Sequence, residues 1–152
     1  MKDENGLTDI DLMFETAIAN RNNGAFPEAI KGLLKIISIY PNDVKIYGVH
    51  AVLGGIYADL KDFTNSLASF KKASELNQKS ELASLGLYLS YVELDRDEDA
   101  IQELIRYLTH HPANLYKDTL VELLEGLKEG YMTDFEREIS MLALKNNVSI
   151  EG

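Results

Sequence analysis

The chain has no cysteine and no tryptophan, and only three prolines in 152 residues. Without cysteine there is neither a disulfide staple nor a thiolate metal site, so the fold must rest on its hydrophobic core. Positive charge is scarce: 15 Lys and Arg face 25 Asp and Glu, for a net charge of −10. A surface with that balance repels polyanions, so neither nucleic acid nor an anionic membrane is an expected partner. No stretch approaches the roughly 20 apolar residues that span a bilayer. The opening MKDENGLTDID is polar and lacks the apolar region of a secretory signal. The expected compartment is the cytoplasm. Period-two alternation bounded by turn signals is missing too, and no strand is expected.

The motifs of chemistry are equally scarce. There is no glycine-rich phosphate loop, no His-Glu-x-x-His and no nucleophile elbow. His110 and His111 are adjacent, so on a helix they project in different directions and do not share a metal. Asp95–Asp99 lacks the central glycine and the glutamate spacing of a calcium-binding loop. The chain is read as a non-enzyme with no catalytic residue, no cofactor and no metal.

What is present is helix. With 45% hydrophobic residues the chain can bury one domain-sized core. Thr8 with Asp11 has the form of a capping box. It opens a first helix carrying Ile10, Met13, Phe14, Ala17 and Ile18, which Asn23-Gly24 ends. A second helix, with Pro27 in its first turn, runs to Tyr40-Pro41. A third, from after Asp43 to about Leu60, holds Gly48, Gly54 and Gly55. Each of these costs about 1 kcal/mol in a helix interior, a cost that close helix approach would offset. A fourth spans Phe63 to about Leu76, and Ser80 caps a fifth. A sixth ends at His110-His111-Pro112, and a seventh covers about 115–128. Thr133 with Glu136 predicts a second capping box and an eighth helix. Connections of two to five residues force neighbouring helices to be antiparallel. Residues 1–8 and 146–152 are expected to be flexible tails around a single domain over 9–145.

The helices repeat. Ala29, Leu33, Ile36 and Pro41 align with Ser66, Phe70, Ala73 and Gln78, and again with Ala100, Leu104, Tyr107 and Pro112. The second spacing is 34 residues and the first is 37, which places an insertion near 41–47. Leu53, Gly54 and Tyr57, followed by Ser66, Phe70 and Ala73, alternate large and small on two adjacent helices. Antiparallel packing needs that alternation, because a ring on one helix must enter a gap on the other.

These residues resemble the tetratricopeptide repeat family. Leu53, Gly54 and Tyr57 fall on its Leu-Gly-Tyr positions, Ala29 and Ala100 on its small position, Pro41 and Pro112 on its terminal proline. The first copy departs from it with Thr16, Ala17 and Asn20, the third with Leu87, Tyr88 and Tyr91. The family's tryptophan position is empty throughout, and His50 occupies it in the second copy, where it is expected to pack. The resemblance implies an all-α fold of antiparallel helix hairpins wound into a right-handed superhelix of about eight helices. Its repeats lie near 10–43, 47–80 and 81–114, with capping helices over 115–145.

The resemblance also implies a concave groove lined by the first helix of each unit. The transferred register gives Asp11, Phe14, Ile18 and Arg21, then Gly48, Ala51, Gly55 and Ala58. It continues with Leu82, Leu85, Leu89 and Val92, and at a further 34 residues with Tyr116, Thr119, Leu123 and Gly126. The lining is mainly apolar, without the Lys and Asn by which some relatives hold a terminal carboxylate. The groove bet rests on Phe14, Ile18, Ala51, Gly55, Ala58, Leu85, Leu89 and Val92. Its occupant is open: the C-terminal helix with Phe135, Ile139 and Leu142, a partner's apolar segment, or a second copy.

Two acidic groups stand out besides. Asp95, Asp97 and Glu98 crowd one turn, and Asp118, Glu122, Glu125 and Glu129 form one stripe at i, i+4, i+7 and i+11. They read as a solvated face or as a docking surface for a basic protein. Three functions follow. The first is a non-catalytic adaptor or small chaperone that holds a protein or peptide segment in the groove; the resemblance includes type III secretion chaperones. The alternatives are an acidic inhibitor or immunity-type protein that masks a basic effector, and a structural homodimer closed through the groove.

Overall fold

The structure is a computed structural model that describes residues 2, 4, 6 and 8–151. Among these it is all helical: α1 (Asp9–Asn22), α2 (Phe26–Ile39), α3 (Ile46–Asp59), α4 (Phe63–Leu76), α5 (Glu81–Glu93), α6 (Asp97–His110), α7 (Lys117–Lys128) and α8 (Glu136–Lys145). No described residue belongs to a strand, and the one bridge, Lys2 to Thr8, is isolated. Of the two expected tails, Met1, Asp3, Asn5, Leu7 and Gly152 lie outside the described residues. Val148 packs on a core and Asn146 is hydrogen-bonded through its side chain.

Local signals set most helix ends. Asp11 N–H donates to the Thr8 hydroxyl at 3.3 Å, and Thr8 N–H donates to the Asp11 carboxylate at 3.1 Å, closing the capping box. Ser80 accepts from Ala83 N–H at 3.1 Å and caps α5. Before Pro112, His111 is extended, as the residue ahead of a proline must be. The expected cap at Thr133 is not formed. Met132 takes a left-handed conformation, and a single 3-10 turn, Thr133–Phe135, precedes α8, whose start carries no side-chain cap.

One turn recurs in every hairpin. Gly24, Lys61, Asp95 and Gly130 all have positive φ, between 57° and 88°. In each case the next N–H donates to the carbonyl five residues back at 2.8 Å: Ala25 to Asn20, Asp62 to Tyr57, Arg96 to Tyr91, Tyr131 to Gly126. This is the Schellman closure, which satisfies the last carbonyls of a helix. Its fourth appearance shows that α7 ends as the earlier first helices do.

The chain divides into two compact units, Met1–Leu76 and Asn77–Gly152. The first buries Ile10 and Ala17 of α1, Ala29, Leu33 and Ile36 of α2, and Ile46, Val49, Leu53 and Ile56 of α3. Phe70 of α4 lies against Gly54, where a Cβ would come within 2.8 Å of its ring. The buried Ser66 hydroxyl donates to the Gly54 carbonyl at 2.9 Å. The large–small alternation of the sequence is therefore a real contact. Lys45 pairs with Asp11, and the ammonium together with the Thr8 hydrogen bonds holds the Asp11 carboxyl well below the usual carboxylate range.

The second unit is built around Tyr88 of α5, Ala100, Ile101, Leu104, Tyr107 and Leu108 of α6, Tyr116, Leu120 and Leu123 at α7, and Ile139 and Leu142 of α8. A polar chain crosses it. Tyr116 OH and Ser84 Oγ are 2.8 Å apart, and Ser84 donates to Glu103 Oε2 at 2.7 Å. Arg106 grips the same carboxylate with two bonds of 2.7 Å. Every member thus has a partner, which is the condition for burying polar groups at little cost. The link into α7 is held by Glu81, whose Oε1 accepts from the N–H groups of Asn114 and Tyr116, each at 2.8 Å. Its other flank is held by Asn146, which accepts from Ala113 N–H at 2.8 Å.

Candidate functional site

In the first unit the groove residues lie on α1 and α3, and Phe14, Ile18, Ala51, Gly55 and Ala58 are all half-buried. Phe14 leans on the core, so part of its surface is structural. The three glycines of α3 separate by role. A Cβ at Gly54 collides with Phe70, whereas a Cβ at Gly48 or Gly55 meets nothing within 4 Å. Gly54 is there for packing, and the other two leave the face of α3 flat and open.

His50 lies between these roles. It is half-buried, and burial first, then the nearby Lys72 charge, lowers its pKa from the usual 6.5. The folded chain therefore favours neutral imidazole, and the unfolded chain binds more protons as pH falls. Stability from this group is complete above 6.5 and declines below it, until the folded form protonates too. The Asp11 carboxyl has the opposite sense of shift for its charge, and its stabilisation is lost only below 3.8. The urea midpoint is expected to drop between about pH 7.5 and 5.5, and His50→Gln is expected to flatten that drop. An unchanged slope in the variant would assign the pH response elsewhere.

In the second unit the apolar row lies on α5. Leu82 is 59% and Leu89 51% exposed. Leu85 and Val92 are half-buried and rest on the core. The opposite face of α5, through Ala83, Ser84, Leu87, Tyr88 and Ser90, is buried.

The transferred register fails on the next helix. Tyr116, Thr119 and Leu123, expected to line the groove, are buried. The Tyr116 ring meets Tyr88 edge-on at 5.9 Å and Tyr107 at 5.8 Å, and its hydroxyl is bonded to Ser84. A ring with those partners cannot face solvent, so α7 is turned to bring it inward. The buried series Tyr116, Leu120, Leu123 then matches Ala83, Leu87, Ser90 at a spacing of 33, not 34. One residue is a rotation of about 100°. It moves Asp118, Glu122 and Glu125 to the positions that Leu85, Leu89 and Val92 hold on α5, and all three are exposed. The Tyr88 hydroxyl is pushed well above its usual range by burial first, then by Tyr131, Glu122 and Asp97.

The other acidic residues have local employment. Asp95 is the left-handed residue of its turn. Asp97 and Glu98 begin α6, where carboxylates complement the helix dipole. Asp97 also accepts from Tyr131 OH at 2.6 Å, and burial together with this carboxylate pushes the phenol up to about 12. Glu125 and Glu129 border a cleft of about 510 Å³ between α7 and Ser149–Glu151. No group of three His, Asp or Glu among the described residues is arranged to hold a metal ion. No helix among them is long and apolar enough to cross a membrane.

Helix hairpins closed by one recurring turn, with Phe70 of α4 seated on Gly54 of α3 in one of them, define a helical-repeat protein of tetratricopeptide-like build. Two solved structures share the arrangement. MamA AMB-1, in a P212121 crystal, superposes with a TM-score of 0.70 at 18% identity, over 99% of this chain and 79% of that one. MamA MSR-1, in a C2 crystal, gives 0.66 at 19% identity, over 94% and 81%. No family model and no curated protein matches the sequence. At these identities the likeness is one of fold.

Proposed function

We propose that the chain is a member of the tetratricopeptide repeat family, a non-catalytic interaction module of the cytoplasm. It acts as an adaptor or small chaperone that holds an apolar segment of a partner protein. One observation carries this reading. Leu82 and Leu89 stand more than half exposed, two turns apart, on a helix whose other face is fully employed in the core. Single exposed leucines are ordinary, but a row with Leu85 and Val92 beside it is a surface awaiting cover.

The test is capture from host lysate, wild type against Leu82→Asp/Leu89→Asp. Both side chains are exposed, so helicity is expected to survive the change. A partner held by wild type and lost by the variant supports the reading. A partner kept by the variant but released by salt moves the function to a basic effector held by the acidic stripe. A dimer in sedimentation that the variant dissociates makes the chain a structural homodimer.

A further inference from the structure

We infer that the segment held on the second unit is an amphipathic helix with one basic edge. This deepens the reading above and rests on it. The rotation of α7 gives it an exposed acidic row at the repeat positions that carry the apolar row on α5, where the repeat alone would have continued the apolar lining. The two helices share one packed unit: Tyr116 at the head of α7 touches Tyr88 and Ser84 of α5, and Leu85 and Val92 rest on the core that holds Leu120 and Leu123. The Glu122 charge is also felt at the Tyr88 hydroxyl of α5.

The spacings select a helical ligand. Leu82, Leu85, Leu89 and Val92 extend over roughly 15 Å of α5. That length matches apolar residues at i, i+3 or i+4, and i+7 of a partner helix. Asp118 and Glu122 lie one turn apart, about 6 Å, which is the spacing of Lys or Arg residues at i and i+4. Long basic side chains also lay their methylene stems over leucine while the charged head reaches a carboxylate. A second copy is disfavoured by the same charge: each chain carries −10, and the acidic row would meet another surface of its own sign.

The experiment uses the full chain and synthetic helical peptides of about 18 residues, near 27 Å long. One peptide carries a leucine row with lysines along one edge. Its sister has every lysine replaced by glutamate. Binding is followed by fluorescence anisotropy. The lysine peptide is expected to bind at least about tenfold more tightly than its sister. That gap is expected to close at about 1 M salt, where screening reaches ~3 Å. Asp118→Lys/Glu122→Lys is expected to reverse the preference, and Leu82→Asp/Leu89→Asp to abolish binding of the lysine peptide.

Equal binding of the two peptides overturns the basic edge while leaving the apolar face in use. Lysine-peptide binding that survives the leucine variant reduces the effect to bulk charge and overturns it as well. Neither peptide binding, while a lysate partner still depends on Leu82 and Leu89, rejects the basic helix and keeps the proposed function. A dimer dissociated by the leucine variant assigns the face to a second copy instead.

Discussion

Gly54→Val is expected to destabilise the protein by about 3 kcal/mol, and Gly55→Ala is expected to leave it unchanged or make it up to ~1 kcal/mol more stable. The two glycines are consecutive, so helix propensity treats them alike and only tertiary contact separates them. A Cβ at 54 would lie 2.8–2.9 Å from Cγ, Cδ2 and Cε2 of Phe70. Because Cγ is at the root of the ring, the ring cannot escape by swinging its tip. The collision pushes α4 away from α3 and strains the 2.9 Å bond from Ser66 to the Gly54 carbonyl. Even Gly54→Ala, which gains about 1 kcal/mol in propensity, is expected to lose more than that to overpacking. Urea unfolding measures both. The contact itself is tested by adding Phe70→Leu, which should recover part of the Gly54→Ala loss and leave Gly55→Ala untouched. Equal stability of Gly54→Ala and wild type would show that α3 and α4 are not pressed together as described.

Tyr116→Ala is expected to cost about 4 kcal/mol, while Tyr116→Phe costs about 1. The side chain has no exposed surface and is among the largest groups fully buried. Removing the ring opens a cavity between Tyr88 and Tyr107, and the second unit loses the contact that orients α7. The phenylalanine variant keeps the ring and loses one hydrogen bond to Ser84. Ser84 still donates to Glu103, and Arg106 still pairs with that carboxylate, so no charge is stranded. Thermal unfolding separates the two variants. Similar losses from both would mean that the polar chain, not the ring, holds α7 in place.

The helices and their caps were legible because they depend on neighbours in sequence. Thr8, Ser80 and Gly24 act within a turn or two, and each does as its chemistry requires. The Gly54–Phe70 contact was legible through the alternation of large and small residues on two adjacent helices. The left-handed turns at Lys61 and Asp95 were not, because lysine disfavours that conformation and aspartate, though it tolerates it, does not signal it. The hairpin imposes it, at roughly 1–2 kcal/mol each. Thr133 and Glu136 have the right spacing for a cap, yet the left-handed Met132 sends the chain into a 3-10 turn first.

The largest divergence is the rotation of α7. Periodicity tells which residues share a face of a helix, but not which face turns inward. The Tyr116 side chain and its three partners decide that, and those partners lie up to 32 residues away. The apolar row of α5 and the acidic stripe of α7, separate features in the sequence, thereby come to hold equivalent positions on two helices of one unit.

The division into two cores bears on how the chain is made. In the first unit α1 packs on α2, α2 on α3 and α3 on α4; in the second, α5 packs on α6, α7 on α8, and α6 reaches past one helix to α8. Contacts this local form in well under a second. Translation, at about 5–20 residues per second, takes some 4–15 s to deliver a segment as long as Met1–Leu76. The first core can therefore close while the ribosome is still adding the later helices of the second unit. A nascent chain then holds little more than one hairpin's apolar face open at a time, and its exposure to aggregation is set by the pace of synthesis, not by a search through the whole sequence.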